Sequence, residues 1–304
     1  MLEHLNTLID TLAHDHRRGA AEIVEDIGEL FLKIAETGME GESEAERLFF
    51  RAVKSLVKSQ PSMAPVLNIV NRACLVYESC NRDWSEFQKR ITALMNKRRE
   101  TVQSMINHSD ELPPAPRCLI TYSNSSTVAA LIAHRYKQGM IKSVLLSEAR
   151  PVCEGLILAK KLVAEGVDVT LLTDAALMSH IGDADAVWVG GDYLGENGLV
   201  NKVGSYALAM LAERVGIPFI SLIATDKVLS PQLRTFFKCL PQNPREVLGE
   251  EVKGMKVINE YYEEIPLSLV TWVFTEFGLK KPQEILQQSY DESVSELLIK
   301  LTGS

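Results

Sequence analysis

The first hundred residues carry apolar positions at helical spacing. Segment 22–37 places a set of apolar side chains on one face of a helix, namely Ile23, Ile27, Leu30, Phe31 and Ile34. Segments 42–59 and 63–80 repeat this pattern, and Asp83 with Glu86 three residues later is typical of a capping box. We therefore expect residues 1–110 to form a helical N-terminal domain. Residues 111–117 contain adjacent prolines, which exclude a helix and indicate a linker.

The hydrophobic period changes at Cys118. Short apolar runs at 118–122, 142–147, 167–173, 186–189 and 217–224 predict strands, and the segments between them predict helices. Strands that alternate with helices are typical of parallel βαβ units. The sequence therefore predicts an α/β fold, with a Rossmann-like, doubly wound parallel sheet over residues 118–304.

One stretch, Asp185–Ala209, combines a buried strand with candidate chemistry. Gly190 and Gly191 end the strand, and Asp192 lies just past its carboxyl end, where open α/β sheets bind ligands. We expect Asn201 and Lys202 to open the next helix, whose free N–H groups would suit an anion. Lys202 opposes the helix dipole there, unless it faces a bound anion. An ordinary strand, loop and helix with a solvated Asp192 and Lys202 explains the pattern equally well.

Polar residues follow four of the predicted strands. They are Tyr122, Ser123, Asn124, Ser125, Ser126 and Thr127 after the first strand, Glu148 and Arg150 after the second, Asp192 after the fourth, and Thr225, Asp226 and Lys227 after the fifth. In a doubly wound sheet these strand ends share one rim. Hydroxyls at a helix start can cap the helix or hold a phosphate, and an arginine can grip a phosphate with two hydrogen bonds. We expect a pocket for a small phosphorylated ligand.

Composition narrows the classes of function. A net charge of −8 argues against a nucleic-acid partner, and no apolar run is long enough to span a membrane. The N-terminal stretch lacks the apolar core of a secretory leader. Five scattered cysteines without a CxxC pair favour reduced thiols and a cytoplasmic location. Neither GxGxxG nor GxxxxGK(S/T) occurs, and we expect no cofactor and no metal.

Several motifs resemble one family. They are Gly190-Gly191-Asp192 with Asn197-Gly198 and Asn201-Lys202-Val203-Gly204-Ser205; Ser147-Glu148-Ala149-Arg150-Pro151; Arg18-Gly19-Ala20; and Asn259, Tyr261-Tyr262, Pro266 and Thr275-Glu276-Phe277-Gly278. The chain resembles the family that joins the regulatory subunits of translation initiation factor 2B with methylthioribose-1-phosphate and ribose-1,5-bisphosphate isomerases. This resemblance implies a sugar-phosphate or nucleotide pocket between the domains and a homodimer through the C-terminal domain. The ligand contacts would be Arg18, Gly19, Ala20, Ser125, Ser126, Arg150, Asn201, Lys202 and Lys227.

The departures from the family pattern concern the mechanism. The isomerases of the family pair the hallmark aspartate with a cysteine, and here Asp192 is kept while Ser123 takes the cysteine position. A serine without an activating base does not supply a base at neutral pH. The isomerases' Arg-Pro-Thr is replaced by Gln60-Pro61-Ser62. We therefore expect a protein like the α subunit of initiation factor 2B, which binds a phosphorylated sugar or nucleotide for regulation.

Two alternatives stay open at this point. The first is an aldose–ketose isomerase that acts on a phosphorylated pentose through Asp192, with Ser123 or a water in place of the thiol. The second is a purely structural subunit of an assembly. The regulatory and isomerase hypotheses both need a phosphorylated small molecule as partner, and neither involves a nucleic acid or a membrane.

Overall fold

The computed structural model describes residues 2–15, 20–113, 117–289 and 293–303. Five helices come first: α1 (Leu2–Ala13), α2 (Ala20–Glu40), α3 (Glu42–Ser59), α4 (Ala64–Ser79) and α5 (Trp84–Asn107). An alternating region follows: β1 (Cys118–Tyr122), α6 (Ser126–Lys137), β2 (Ser143–Ser147), α7 (Gly155–Ala164), β3 (Val169–Leu172), α8 (Asp174–Ser179) and β4 (Ala186–Val189). The last elements are β5 (Tyr193–Gly195), β6 (Gly198–Lys202), α9 (Ser205–Val215), β7 (Phe219–Leu222), α10 (Pro231–Arg234), β8 (Tyr262–Ile265), β9 (Trp272–Thr275), β10 (Gly278–Lys280), α11 (Pro282–Ser289) and α12 (Glu296–Thr302).

The chain divides into two compact units. The helical unit comprises Met1–Glu100, Asp226–Lys238 and Ser289–Ser304, and the sheet unit comprises Thr101–Thr225 and Cys239–Gln288. Residues 226–238 and 289–304 thus belong to the helical unit, although the predicted boundaries place them in the C-terminal domain. The helical region and the α/β region that the sequence predicts are both confirmed.

The helical unit is built on the apolar faces that the sequence predicts. The predicted face of α2 is fully buried, and Phe49 of α3 lies at the centre of an aromatic cluster with Phe31, Tyr77, Trp84 and Phe87. Asp83 caps α5, because its Oδ1 accepts hydrogen bonds from the backbone N–H groups of Ser85 and Glu86, both at 3.0 Å. The half of the predicted capping box that Asp83 supplies is therefore confirmed, whereas the Asp83 backbone N–H donates to the Cys80 carbonyl at 2.9 Å and not to Glu86.

The sheet unit contains a seven-stranded sheet in the order β10-β9-β7-β4-β1-β2-β3. Six strands are parallel, and β10 pairs antiparallel with β9. All four residues of β4 are buried, which explains its continuous apolar sequence. The chain moves outward in one direction from β1 to β3 and then returns to β4 on the other side of β1. This reversal makes a topological switch point between β1 and β4, where doubly wound sheets bind ligands.

A second, three-stranded antiparallel sheet in the order β5-β6-β8 completes the sheet unit. The hydrophobic pattern of the sequence does not predict this second sheet. Its register sets Lys202 opposite Tyr262 and Asn201 opposite Glu263. The described residues include no helix with both the length and the apolar character required to cross a bilayer.

Candidate functional site

The switch point brings together two of the predicted site residues. Ser123 follows β1 directly, and Asp192 follows β4 after the two glycines. Gly190 permits a close approach of the two loops, because a Cβ at this position would lie 3.0 Å from the Ser125 Oγ. Ser123 itself adopts a left-handed backbone conformation, with φ of 66°. The loops after β1 and β4 therefore pack against each other at the place where the fold predicts a ligand.

Lys202 does not open a helix, and the prediction that it does is wrong. Asn201 and Lys202 are the last residues of β6, because they pair with β8 in the antiparallel ladder. The helix α9 begins only at Ser205, after Gly204 with φ of 107°. The Asn201 side chain donates a hydrogen bond to the Ser205 Oγ at 2.9 Å.

The start of α9 is capped by a carboxylate of the protein. Glu263 Oε1 accepts hydrogen bonds from the backbone N–H groups of Gly204 at 2.6 Å and Tyr206 at 2.8 Å. A carboxylate at this end also interacts favourably with the helix dipole. The predicted anion site at this helix start is therefore taken by Glu263. Leu208, Ala209 and Ala212 of this helix are buried, while Met210 is exposed.

Glu154 connects Lys202 with Ser123. Lys202 Nζ lies 2.9 Å from Glu154 Oε1, and its side chain is only 4% exposed against 19% for Glu154. Ser123 Oγ donates a hydrogen bond to the same oxygen at 3.0 Å. The Lys202 ammonium also lies 4.6 Å from the centre of the Tyr261 ring, within range of a cation–π interaction. Glu154 Oε2 is buried and has no hydrogen-bond partner among the described residues.

Two tyrosines border this cluster. Burial raises the pKa of Tyr262 well above its usual value, and the carboxylates of Asp192 and Glu154 raise it further. Burial also raises the pKa of Tyr122, with Asp174 and Glu154 adding to the effect, and its hydroxyl donates to the Val203 carbonyl at 2.9 Å. Both phenols therefore stay neutral at physiological pH. Asp192 and Glu154 both lie near enough to Tyr262 to act on it electrostatically.

The loop after β2 carries Arg150 and Glu154. Asp174 fixes its course, because its two carboxylate oxygens accept the backbone N–H groups of Ala149 at 2.9 Å and Arg150 at 2.8 Å. The peptide bond between Arg150 and Pro151 is cis. Gly155 must be a glycine here, since a Cβ would lie 1.9 Å from the Ser147 carbonyl oxygen. The residue that follows Glu154 is thus packed tightly against the end of β2.

Arg150 borders a cavity of about 280 Å³, which is lined by Arg150, Pro151, Val203, Val247, Ile258, Asn259 and Glu260. Its guanidinium donates one hydrogen bond to the Val247 carbonyl at 3.1 Å. Asn259 is buried and fastens the segment that carries Val247, since its side-chain amide donates to the Asn243 carbonyl at 2.7 Å and to Glu246 at 2.8 Å.

The first turn of α6 supplies hydroxyls. Ser125 is the N-cap of this helix, and its Oγ accepts a hydrogen bond from the Val128 backbone N–H at 3.3 Å. Ser126 is the first residue of the helix and is exposed. Ser125 therefore has a structural role in addition to any contact with a ligand.

The other predicted residues belong to the helical unit. Ala20 is the first residue of α2, while Arg18 and Gly19 lie outside the described residues. Lys227 follows Asp226, which pairs with Arg98 at 3.1 Å. The buried Gln60 donates from its amide nitrogen to the carbonyls of Leu12 and Ala13 at the end of α1, at 3.0 and 3.2 Å, and to that of Asp15 just beyond the helix, at 2.7 Å.

Two carboxylates of the site, Glu154 and Glu263, are not among the residues that the sequence predicts. Glu154 is the last residue of the loop after β2. Since ligands bind beyond the carboxyl ends of parallel strands, its position in the sequence is the signal that points to it. Glu263 lies in β8, about sixty positions along the chain from the helix that it caps. The residues around Glu263 in the sequence therefore do not indicate that it caps α9. Glu154 adds a negative charge beside Lys202, and Glu263 adds one at the start of α9, the two places where the sequence predicts an anion.

Comparison with known proteins identifies relatives over most of the chain. The ribose 1,5-bisphosphate isomerase of Archaeoglobus fulgidus is 29% identical over 279 residues, which span 88% of this chain and 86% of that protein. The crystal structure of the translation initiation factor eIF-2B of Pyrococcus horikoshii OT3 matches with a TM-score of 0.79 and 24% identity, over 93% of this chain and 99% of that one.

A further structural match is with a protein named as an isomerase. The 5-methylthioribose 1-phosphate isomerase of Pyrococcus horikoshii OT3 matches with a TM-score of 0.76 and 22% identity, over 94% of this chain and 87% of that chain. At these identities the two structures show a shared fold. A sequence model of the initiation factor 2 subunit family matches residues 16–282. Since this match covers most of the 304 residues of the chain, the chain belongs to the initiation factor 2 subunit family.

Proposed function

We propose that this protein binds a phosphorylated pentose at the switch point of the sheet unit and interconverts its aldose and ketose forms. The observation that carries the proposal is the pair of acidic groups at this point, Asp192 after β4 and Glu154 bonded to Ser123 after β1. The relative from Archaeoglobus fulgidus, named as a ribose 1,5-bisphosphate isomerase, supports this alternative over the regulatory hypothesis.

Arg150 is the group in the sheet unit that we assign to a phosphate. Its guanidinium donates one hydrogen bond to the neutral Val247 carbonyl, and Arg150 borders the cavity. A guanidinium suits phosphate because its planar N–H groups can bond two oxygens together. Ser125 and Ser126 at the start of α6 offer hydroxyl and backbone donors at a favourable dipole end. For Ala20, Arg18, Gly19, Asn201 and Lys227, a ligand contact stays a prediction from the sequence.

We assign to Lys202 a role other than the predicted ligand contact. Its charge is held by Glu154 in a nearly buried pair, so we assign it to orienting that carboxylate. Asp192 we assign to proton transfer, because an aldose–ketose shift moves one proton between carbons and another between oxygens.

The test is turnover of ribose 1,5-bisphosphate, followed by phosphorus and proton NMR. We expect conversion to the 2-ketose by the purified protein and a loss of about a hundredfold or more in kcat for Asp192→Asn. Glu196→Gln is the matched control, since Glu196 is an exposed carboxylate between β5 and β6 and should leave the rate unchanged. Absence of conversion with this substrate and with methylthioribose 1-phosphate would reject the isomerase proposal.

A second candidate is binding of the same ligand without turnover. Ser123 favours it, because the position at which the family's isomerases carry a thiol here carries a hydroxyl that already donates to Glu154. A ligand present at a hundred times its Kd should add about 2.7 kcal/mol to the free energy of unfolding. A rise in melting temperature without conversion supports this candidate.

The homodimer through the C-terminal region is also a proposal. Tyr206 and Met210 on α9 are exposed and four residues apart, so they form an apolar pair on one face of the helix. Sedimentation velocity of the wild type and of Met210→Glu tests this surface. A dimer that dissociates in the variant supports the proposal, and a monomeric wild type contradicts it.

A further inference from the structure

We propose that Glu154 is the second catalytic residue of this site, and that its Oε2 carries the proton that moves between C2 and C1 of the sugar. The inference rests on the proposed isomerase function and names the group that replaces the missing thiol.

The geometry singles out one oxygen of this carboxylate. Oε1 receives both the Lys202 ammonium at 2.9 Å and the Ser123 hydroxyl at 3.0 Å. Oε2 receives no hydrogen bond from any described residue and is buried. An unpartnered buried carboxylate oxygen is costly, and it persists in native structures mainly where a ligand or a function explains it. The contacts with Lys202 and Ser123 fix Oε1, and under this proposal Oε2 is the oxygen that acts as the base.

Ser123 does not compete for this role. Its hydroxyl is the donor toward Glu154, so the pair consists of an acceptor carboxylate and a donor alcohol. A carboxylate is far too weak a base to ionise an alcohol, whereas it can take a proton from a carbon whose electrons move into a forming double bond. Ser123 is therefore a positioning residue, which together with Lys202 holds Glu154 in one orientation.

The proposed sequence of steps balances. In the proposed steps Asp192 acts first as the general acid, so that the ring oxygen gains a proton as the bond between that oxygen and C1 breaks. Glu154 Oε2 removes the proton from C2, and the electron pair of that C–H bond forms the C1=C2 double bond. Glu154 then returns the proton to C1 while Asp192 takes the proton of the C2 hydroxyl, which leaves a ketone at C2. Both carboxyl groups end in their starting protonation states, and no oxidant, reductant or metal is consumed.

The experiment compares Glu154→Gln with Ser123→Ala in the full-length protein, using ribose 1,5-bisphosphate. We expect kcat to fall by about a hundredfold or more in Glu154→Gln, with KM changed by less than about threefold. Glutamine still accepts the bonds of Lys202 and Ser123, so this variant should fold, which its melting temperature checks. Glu154→Asp keeps the carboxylate and should recover part of the rate. Glu165→Gln, at the exposed end of α7, is the matched control and should keep full activity.

Turnover in D₂O adds a second measurement, the fraction of deuterium at C1 of the product. A residue with a purely structural role should not change this fraction. The wild type and Ser123→Ala should give product with the same fraction of deuterium at C1, because the same carboxylate carries the proton in both. The inference is overturned if Glu154→Gln keeps a kcat within tenfold of the wild type, or if Ser123→Ala loses as much rate as Glu154→Gln and alters the deuterium fraction. A wild type without turnover instead rejects the proposed function, so the two failures are distinguishable.

Discussion

Replacement of Lys202 by methionine tests the pair that organises the candidate site. The variant removes the ammonium but keeps an unbranched side chain of similar length, so packing changes little. The carboxylate of Glu154 is then left largely buried, at 19% exposure, with the Ser123 hydroxyl as its described hydrogen-bond partner. Breaking a buried ion pair from one side costs about 3–5 kcal/mol. Because Glu154 is partly exposed and keeps one hydrogen bond, we expect about 3 kcal/mol, at the lower end.

The sheet unit supplies its own control. Lys137 and Glu165 form a pair at 2.6 Å, but their side chains are 62% and 45% exposed. Exposed pairs contribute about 0–1 kcal/mol, so Lys137→Met should lower the melting temperature by no more than about 4 °C. Lys202→Met should lower it by about 6–12 °C, since one kcal/mol corresponds to about 2–4 °C for a unit of this size.

Urea unfolding followed by tryptophan fluorescence measures the free energy of unfolding. Trp188 and Trp272 lie in the sheet unit and Trp84 in the helical unit, so a Trp84→Phe background reports on the sheet unit alone. The double variant Lys202→Met/Glu154→Gln carries no uncompensated charge and should regain about 2 kcal/mol relative to Lys202→Met. If Lys202→Met costs no more than Lys137→Met, or if the two substitutions are additive, Lys202 does not hold Glu154 and its assignment as an orienting group fails.

Three further predictions concern other parts of the sheet unit. Glu263→Ala removes the carboxylate that caps α9 and should cost about 1–2 kcal/mol in urea unfolding, with Glu263→Gln intermediate; an unchanged midpoint would show that the cap is not needed. Tyr262→Phe should flatten the loss of stability above pH 10: the pKa of Tyr262 is raised in the folded state, so the unfolded chain loses its proton first and stability falls as the pH rises past 10. Equal slopes in wild type and variant would contradict this. Arg150→Ala should raise KM for a phosphorylated pentose by about 10–100-fold at a nearly constant melting temperature, and an unchanged KM would remove Arg150 from the phosphate site.

Local patterns predict the central architecture well. The predicted strand over residues 118–122 coincides with β1, and the buried run 186–189 coincides with β4. Both are continuous apolar segments between turn residues, and the rule that parallel strands share their carboxyl ends then places Ser123 and Asp192 at one crevice. These predictions succeed because each depends on residues adjacent in the chain, or on a topology that strand order alone specifies.

The second sheet could not be predicted in the same way. Residues 201–205 have a composition that suits a helix start, and only pairing with β8, about sixty residues later, makes Asn201 and Lys202 a strand. Tertiary pairing overrides local preference in such cases. The same distant strand delivers Glu263 to the start of α9, which no local pattern shows.

Two carboxylates that are not among the predicted residues, Glu154 and Glu263, bear on where the proposed phosphate would bind. The sequence predicts an anion at both Lys202 and the start of α9, but each already faces a carboxylate, Glu154 in one case and Glu263 in the other. A phosphate brought to either would meet a like charge, and such an approach costs energy rather than gaining it. Arg150 differs, because its described partner is a neutral carbonyl that a phosphate oxygen can replace without repulsion. Under the proposed function, this charge pattern assigns the phosphate to Arg150 and the proton transfer to Glu154. Because both residues lie on the short loop after β2, one loop can hold the phosphate of a sugar and present a base to its carbon atoms.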